Sequence, residues 1–160
     1  MAQTRNLRDG VLTIKDGTGT PNTLTVALDS GDLTWTQRQN RVQVMDRGSL
    51  DHTRPGDEAP VSVSFSVKLD RVSEASSPVT VYDALTRTRS ASSWNTTGVG
   101  YEGYMVILAF VINDPEPGGS DDETITFNKF FHEELTVSEG DEFNTLEVSG
   151  VDFETSPTYT

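Results

Sequence analysis

Cysteine is absent from this 160-residue sequence, which excludes disulfide bonds, thiolate catalysis and cysteine-ligated zinc. Basic residues are scarce, because 12 Lys and Arg stand against 25 Asp and Glu and give a formal net charge of −13. A protein that binds DNA or RNA on its own needs a basic surface, so that class is disfavoured. No run of 18 apolar residues could cross a membrane, and Met1–Gly10 lacks the apolar core of a signal peptide. We therefore expect no membrane partner.

Known catalytic and metal-binding patterns are also missing. His52 and His132 lie in unrelated segments without metal-ligand spacing, and no nucleophile elbow, phosphate-binding loop or dinucleotide fingerprint follows a predicted strand. The acidic segment from Asp114 to Glu123 does not match the ligand spacing of an EF-hand, which favours a solvated hairpin tip. We therefore predict that the protein is not an enzyme and has no catalytic residues, no cofactor and no metal.

The excess of negative charge is confined to the second half of the chain. Residues 1–71 carry nine basic and nine acidic side chains, whereas residues 72–160 carry three basic and sixteen acidic ones. Two interpretations stay open. The acidic half is either a solvated surface that keeps the protein soluble, or a continuous acidic surface facing something that must not adhere to it.

Alternation of apolar and polar residues predicts antiparallel strands. It is clearest in Pro60–Leu69, where the odd positions from Val61 face the core and Ser62, Ser64 and Ser66 form a polar ladder on the other face. A weaker opening strand is predicted at Val11–Ile14, and two further segments show the same alternation: Asn22–Leu28 and Leu33–Thr36. The turn signal at residues 29–32 predicts that the last two form a hairpin.

The second half of the chain predicts further strands. Tyr104–Ile112 is apolar on both faces, as in a central strand covered on both sides. Thr124–Phe131 returns to alternation beyond a turn-rich stretch, so the two segments are expected to pair as a hairpin. Glu134–Val137 and Thr145–Phe153 are predicted as two further strands.

One helix of about ten residues is expected, with Ser77 as the N-cap and Pro78 at its first position. Residues 37–58 and 86–101 are expected to be irregular, and a loop as long as the first is usually functional or disordered until bound. Together these patterns predict one mainly β domain over residues 1–160. Its fold is an antiparallel β-sandwich or barrel with one short flanking α-helix and a long inter-strand loop at 37–58, preceded by a flexible arm at 1–9.

The order of segments resembles the tail tube (major tail) proteins of long-tailed bacteriophages over most of the chain. The resemblance rests on Arg8–Ile14, Asp16–Thr18 with Pro21, Leu33–Thr36, Asp46–Leu50, Gly56–Pro60, Val81–Leu85 and Ser138–Gly150. It implies a structural virion protein that self-assembles into homo-hexameric rings, which stack into a tube for DNA ejection. The same fold occurs in type VI secretion tube proteins and in tail terminators.

The resemblance also implies partners and a location. Each subunit would lend a sheet to a β-barrel around a channel, and phage DNA would pass through an acidic-to-neutral lumen without specific binding. Other partners would be the tape measure, terminator and distal tail proteins. The protein would be made in the bacterial host cytoplasm and reside in the virion tail.

Two sets of residues are candidates for these roles. The polar strand faces predict lumen-facing residues at Thr34, Thr36, Ser62, Ser64 and Ser66. In the family, the long loop reaches the next ring, which makes the loop arginines ring-stacking candidates: Arg38, Arg41, Arg47 and Arg54. Lys68 departs from the pattern, because it places a basic side chain on the otherwise neutral lumen strand.

Two other functions remain open. A carbohydrate-binding β-sandwich would use Trp94, Tyr101 and Tyr104 as a stacking platform and would be a monomer that binds glycans. A capsid decoration protein, or a head–tail joining or tail terminator protein of the same fold, would join other virion proteins without forming tubes.

Overall fold

A computed structural model describes residues 10–26, 33–69, 79–113 and 122–160. The described elements are β1 (Gly10–Lys15), β2 (Thr23–Val26), β3 (Thr34–Thr36), β4 (Arg41–Asp46), β5 (Ser49–Pro55), β6 (Val61–Lys68), α1 (Val81–Thr86), a 3₁₀ turn (Arg89–Ala91), β7 (Val106–Ile112), β8 (Glu123–Ser138), β9 (Thr145–Asp152) and β10 (Thr158–Tyr159). The predicted arm at 1–9, the turn at 29–32, the Ser77–Pro78 helix start and most of the acidic segment at 114–123 lie outside the described residues.

The main sheet is antiparallel, with strand order β2-β1-β7-β8-β9-β6-β3, and β10 adds to β8. The prediction of a mainly β, antiparallel, sandwich-like fold with one short helix is confirmed. Within the described residues, the two ends of this order, β2 and β3, are not paired with each other, so this part of the chain does not close into a barrel.

The alternating strand Pro60–Leu69 forms β6 as predicted. Val61, Val63, Phe65 and Val67 are buried in the core, and the serines between them face the other way. Full burial of each such apolar side chain stabilises the fold by about 1.5–3 kcal/mol. The alternation of β6 therefore arises because only one face of the strand packs against the core.

Strand β7 lies between β1 and β8 in the centre of the sheet, and β7 and β8 form the predicted hairpin. The separate strand predicted at Glu134–Val137 is instead the second half of β8. That strand runs for 16 residues through register shifts next to Phe127 and His132. Such bulges let one strand change direction and serve two parts of a sheet.

The hairpin predicted between Asn22–Leu28 and Leu33–Thr36 is wrong. β2 pairs with β1, and β3 pairs with β6 at the opposite end of the sheet. Neighbouring strands in sequence usually pair, but here each strand finds its partner through the core. Val26 is buried beside Leu12 of β1, and Trp35 packs opposite Val63 of β6.

The helix begins later than predicted and is shorter. The Thr80 hydroxyl accepts a hydrogen bond from the backbone N–H of Asp83, which makes Thr80 the N-cap of α1. The helix ends at Arg87, whose φ of 54° is left-handed and which donates its N–H to the Asp83 carbonyl. The core-facing residues Ala84 and Leu85 are nonetheless buried as expected.

The connection between β3 and β6 is long, as predicted, but it is a β-hairpin rather than an irregular loop. β4 and β5 form their own two-stranded sheet across residues 41–55. All but Val44 of its strand residues are exposed, so no core imposed a long alternation on the sequence. The turn places Arg47 and Gly48 at positive φ, 49° and 86°, as tight hairpin turns require.

Candidate assembly surfaces

A four-stranded part of the sheet carries one polar face. It comprises β3, β6, β9 and the second half of β8. Residues directly opposite each other on paired strands share a face, so the registers define rows across this unit. One row is Thr34, Ser64, Ser149 and Glu134. We call these four strands the polar-faced sheet.

All five predicted lumen-facing residues lie on this one face. Thr36 is opposite Ser62, Thr34 is opposite Ser64, and Ser66 follows in the same alternation. The hydroxyls of Thr34 and Ser64 are 2.8 Å apart and form a hydrogen bond. The structure therefore brings these candidates together, although it does not test what they face in an assembly.

The same face carries two carboxylates that the sequence reasoning missed. Glu147 of β9 is opposite both Ser66 and Thr136, and Glu134 of β8 is opposite Ser149. These side chains line a shallow, open groove beside the serine ladder. Alternation within Thr145–Phe153 already points Glu147 away from the core, but the register that joins it to the serines is not visible in sequence.

Lys68 lies at one end of this face, opposite Thr145. Its ammonium is 4.3 Å from the centroid of the Phe143 ring, in the turn between β8 and β9. A cation over an aromatic face is favourable, so the charge is drawn toward that turn. This contact gives Lys68 a local structural role on an otherwise polar, acidic face.

The polar-faced sheet has two unpaired edges within the described residues. Glu134–Ser138 of β8 pair only with β9 on one side, because β7 reaches no further than Phe130. At the other end, β3 pairs only with β6. Beside the first edge, the Val137 side chain is 55% exposed. Open edges with an exposed apolar side chain are sites where another strand can add.

The four arginines predicted for ring stacking are not brought to one place. Arg47 occupies the tip of the β4–β5 hairpin, about 20 Å from its base by strand rise. Arg41 and Arg54 lie at the base on opposite faces, because Arg54 pairs with Val42. Arg38 lies beyond the base, where it lines an open groove with Asn40 and Glu58, among others. The tip also exposes two apolar side chains, Met45 and Leu50.

The aromatic platform considered for sugar binding is not formed. Trp94 is buried in the core. Tyr104 is half-buried and donates a hydrogen bond to the Ala84 carbonyl; burial, helped by the charge of Asp16, raises its pKa to about 12. Tyr101 is 91% exposed and stands alone of the three. A stacking surface needs adjoining exposed rings, which these residues do not provide.

The histidines serve local contacts. His52 is exposed on β5, with Nδ1 2.6 Å from the Asp51 carboxylate. His132 is half-buried on β8, and burial lowers its pKa despite an interaction with the Leu85 backbone. Within residues 10–26, 33–69, 79–113 and 122–160, no three His, Asp or Glu side chains are grouped to hold a metal ion. In the same ranges no helix has the length and apolarity that a membrane crossing requires.

Sequence comparison and structural comparison give different results. No family model matches the sequence, and no curated protein sequence matches it. The fold, however, is similar over 100% of the chain to two solved structures. One is the sheath/tube terminator of an extracellular contractile injection system (PVC) in its extended state, with a TM-score of 0.62 and 10% identity over 99% of that chain. The other is the anti-feeding prophage cap (AFP tube terminating cap), with a TM-score of 0.64 and 8% identity over 93% of that chain. At these identities the chain shares the fold of two tube-terminating proteins.

Proposed function

We propose that this chain is a ring-forming structural subunit of a phage-tail-like tube, placed at the end of the tube as a terminator. The observation that carries the proposal is the polar-faced sheet with its two open edges. A sheet that is apolar on one face, polar on the other and open at both sides is suited to line a channel when copies join edge to edge. The similarity to two tube-terminating proteins supports the same role.

Strand directions make such a ring geometrically consistent. β3, β6, β9 and β8 alternate in direction, since each adjacent pair is antiparallel. With an even number of alternating strands, rotation about the ring axis brings β3 of one copy antiparallel to β8 of the next. The contact is head-to-tail, so it produces a ring if the rotation closes. The phage tail tube resemblance implies six copies.

Charge on the polar face fits a channel for a polyanion. Glu134 and Glu147 would repeat once per subunit around the lumen, next to the hydroxyls of Ser64 and Ser66. Carboxylates repel the phosphates of DNA, and small hydroxyls offer no basic groups for them to bind. DNA would therefore pass without adhering, in a virion tail or a tail-like particle.

A second candidate is a stacked tube protein, and the β4–β5 hairpin favours it. The hairpin projects as a separate two-stranded sheet with Arg47, Met45 and Leu50 exposed at its tip. An isolated two-stranded hairpin is marginally stable in water, so docking on another subunit would stabilise it. In a terminator the same hairpin would dock once, on the last ring of the tube.

Negative-stain electron microscopy of the purified protein, fresh and after concentration, tests the proposal and separates the two candidates. Single rings that do not stack support the terminator, and long hollow tubes of uniform width support the stacked tube protein. A protein that stays monomeric at high concentration, also after mixing with a tail tube preparation, would overturn both.

A further inference from the structure

The buried carboxyl group of Asp152 is not part of the assembly surfaces described above. Asp152 is fully buried at the end of β9, opposite Phe130 of β8 and Val61 of β6. Its Oδ1 accepts a hydrogen bond of 2.8 Å from the backbone N–H of Lys129. Its Oδ2 is also buried and has no hydrogen-bond partner in the described residues.

The bond to Lys129 repairs a defect in the long strand β8. Between Phe127 and Phe130, β8 uses one residue more than β7 uses between Leu108 and Val106. Such a bulge leaves backbone groups outside the ladder. The Asp152 carboxyl accepts a hydrogen bond from the N–H of Lys129, and the Lys129 carbonyl accepts a bond of 3.0 Å from the N–H of Phe153. Asp152, the last residue of β9, and Phe153, which follows it, therefore bond to the N–H and the carbonyl of the bulge residue Lys129. We call this pair of bonds the clamp.

This clamp lies at a junction of the fold. The first half of β8 pairs with β7 in the centre of the main sheet, whereas the second half belongs to the polar-faced sheet. Asp152 and the bulge lie where the two halves meet. Because bulges bend strands, a change at this point would alter the angle at which the two halves of β8 meet.

The charged side chains near Asp152 make their contacts with other residues. On β8, the Lys129 ammonium is 3.5 Å from the Glu102 carboxylate, with which it forms an ion pair. After β9, Glu154 is held by a 3.1 Å bond from the Asn128 amide. The facing residue on β6 is the apolar Val61. Burial is the main cause that raises the pKa of Asp152 to about 6; Glu154 adds to the effect, and Lys129 opposes it.

We propose that Asp152 is a proton-operated latch, which holds the bulge closed when its carboxyl is neutral and loosens the junction to the polar-faced sheet when it ionises. A neutral carboxyl tolerates burial, while a buried carboxylate with one unpartnered oxygen does not. The inference rests on the fold and does not depend on ring assembly.

The sign of the effect follows from linkage. The carboxyl holds its proton more tightly in the folded chain than in the unfolded one, so its protonated form stabilises the fold in acid. That contribution is complete below pH 3.8, the ordinary value, and is lost as the pH rises through about 6. Asp152→Asn removes the titration while keeping an oxygen for the Lys129 N–H.

The test compares urea unfolding of the wild-type protein and Asp152→Asn between pH 4 and pH 7.5. The ratio of wild-type to variant unfolding constants is expected to rise on the order of 50-fold over this range. Glu134→Gln, which removes an exposed carboxylate on the neighbouring strand β8, is the control, and no comparable rise is expected for it. A pH-independent ratio for Asp152→Asn would overturn the latch.

A local readout in the wild-type protein covers the case in which the variant does not fold. The side-chain carboxyl carbon of Asp152 is followed by NMR against pH, together with hydrogen exchange at the Lys129 amide. We expect titration near pH 6, with Lys129 protection falling in the same interval beyond the intrinsic pH dependence of exchange. Titration below pH 4, or protection that ignores the Asp152 titration, would contradict the proposal.

Discussion

The backbone N–H of Asn95 donates a hydrogen bond of 3.2 Å to the carboxylate of Asp16, which lies 79 residues earlier in the chain. Asp16 is fully buried and also accepts bonds from the backbone and side chains of Thr18 and Asn22. We call these bonds the Asp16 hydrogen-bond network. The residue beside it, Gly17, has no room for a side chain, because a Cβ there would lie 2.2 Å from the Thr96 carbonyl oxygen. The segment that contributed to the sequence resemblance therefore ties the first strand to the loop that carries Trp94.

Replacing Asp16 with Asn tests the contribution of the Asp16 hydrogen-bond network to stability. Burial alone would raise the pKa of Asp16, but the bonds from Thr18, Asn22 and Asn95 outweigh it and lower the pKa. The variant is expected to lose about 2 kcal/mol of unfolding free energy at pH 7, since it replaces one accepting oxygen by an NH2 donor that faces N–H donors. Because the pKa is lowered, the wild-type advantage should shrink as the pH falls below 3.8. Urea denaturation measures both, with the exposed Asp46→Asn as control. A loss of unfolding free energy no larger than that of the control would contradict a stabilising role of the Asp16 hydrogen-bond network.

Val137→Lys tests the open edge of β8. Val137 is 55% exposed in the single chain, so the substitution should change monomer stability by less than about 0.5 kcal/mol. At a subunit seam it would bury an unpaired charge and prevent ring formation. Val99→Lys is a matched control, because Val99 is 56% exposed in a loop away from that edge. Mass photometry should show rings for the control and monomers for Val137→Lys. Equal ring formation by the two variants would exclude this edge from the seam.

Charge reversal at the hairpin tests docking between rings. Arg47→Glu, alone or with Arg54→Glu, is expected to leave folding and single rings intact but to abolish attachment to a second ring or to a tube. Arg87→Glu is the control, because Arg87 is exposed at a φ of 54° and Arg47 at a φ of 49°. The backbone cost of the two substitutions is therefore similar. Tube length or tube capping is measured by electron microscopy, and no change in the hairpin variants would remove these arginines from the interface.

The carboxylates of the polar face predict how DNA behaves in the channel. Glu134→Lys with Glu147→Lys should make rings that retain DNA at low salt and release it as salt rises, because basic side chains exchange counterions with phosphates. Glu139→Lys with Glu142→Lys makes the same charge change in the exposed turn between β8 and β9. DNA retention is measured by nuclease protection across a salt series. Equal retention by both double variants would show that the polar face does not line the channel.

Burial patterns carried most of what could be predicted from sequence. The alternation from Val61 to Leu69 specified β6 and its outward serines, since a core on one side leaves a period of two. The unbroken apolar run through Phe110 likewise indicated the central strand β7. These features depend on one strand and the core, so local sequence is enough to reveal them.

Features that depend on pairing between distant segments were missed. Glu134 and Glu147 share a face with Ser64 only through the registers of β8, β9 and β6. The clamp at Asp152 depends on a bulge that no residue type announces. The β4–β5 hairpin escaped because its strands are exposed on both faces, and a surface without a core imposes no long alternation.

Cysteine cross-linking between subunits tests the ring most directly, because the chain has no cysteine of its own. Thr34→Cys is combined in turn with Thr136→Cys or Ser138→Cys, which lie on the same polar face at the two open edges. Within one chain these positions are three strand spacings apart, about 14 Å, which is too far for a disulfide.

Under oxidation, a head-to-tail ring predicts a ladder of covalent multimers on a denaturing gel, ending at the number of subunits in the ring. Thr34→Cys with Thr25→Cys of β2 serves as the control pair, because β2 lies outside the polar-faced sheet. A ladder for at least one of the two seam pairs and none for the control is the result that the account predicts. Monomers only, or dimers without higher species, would contradict it.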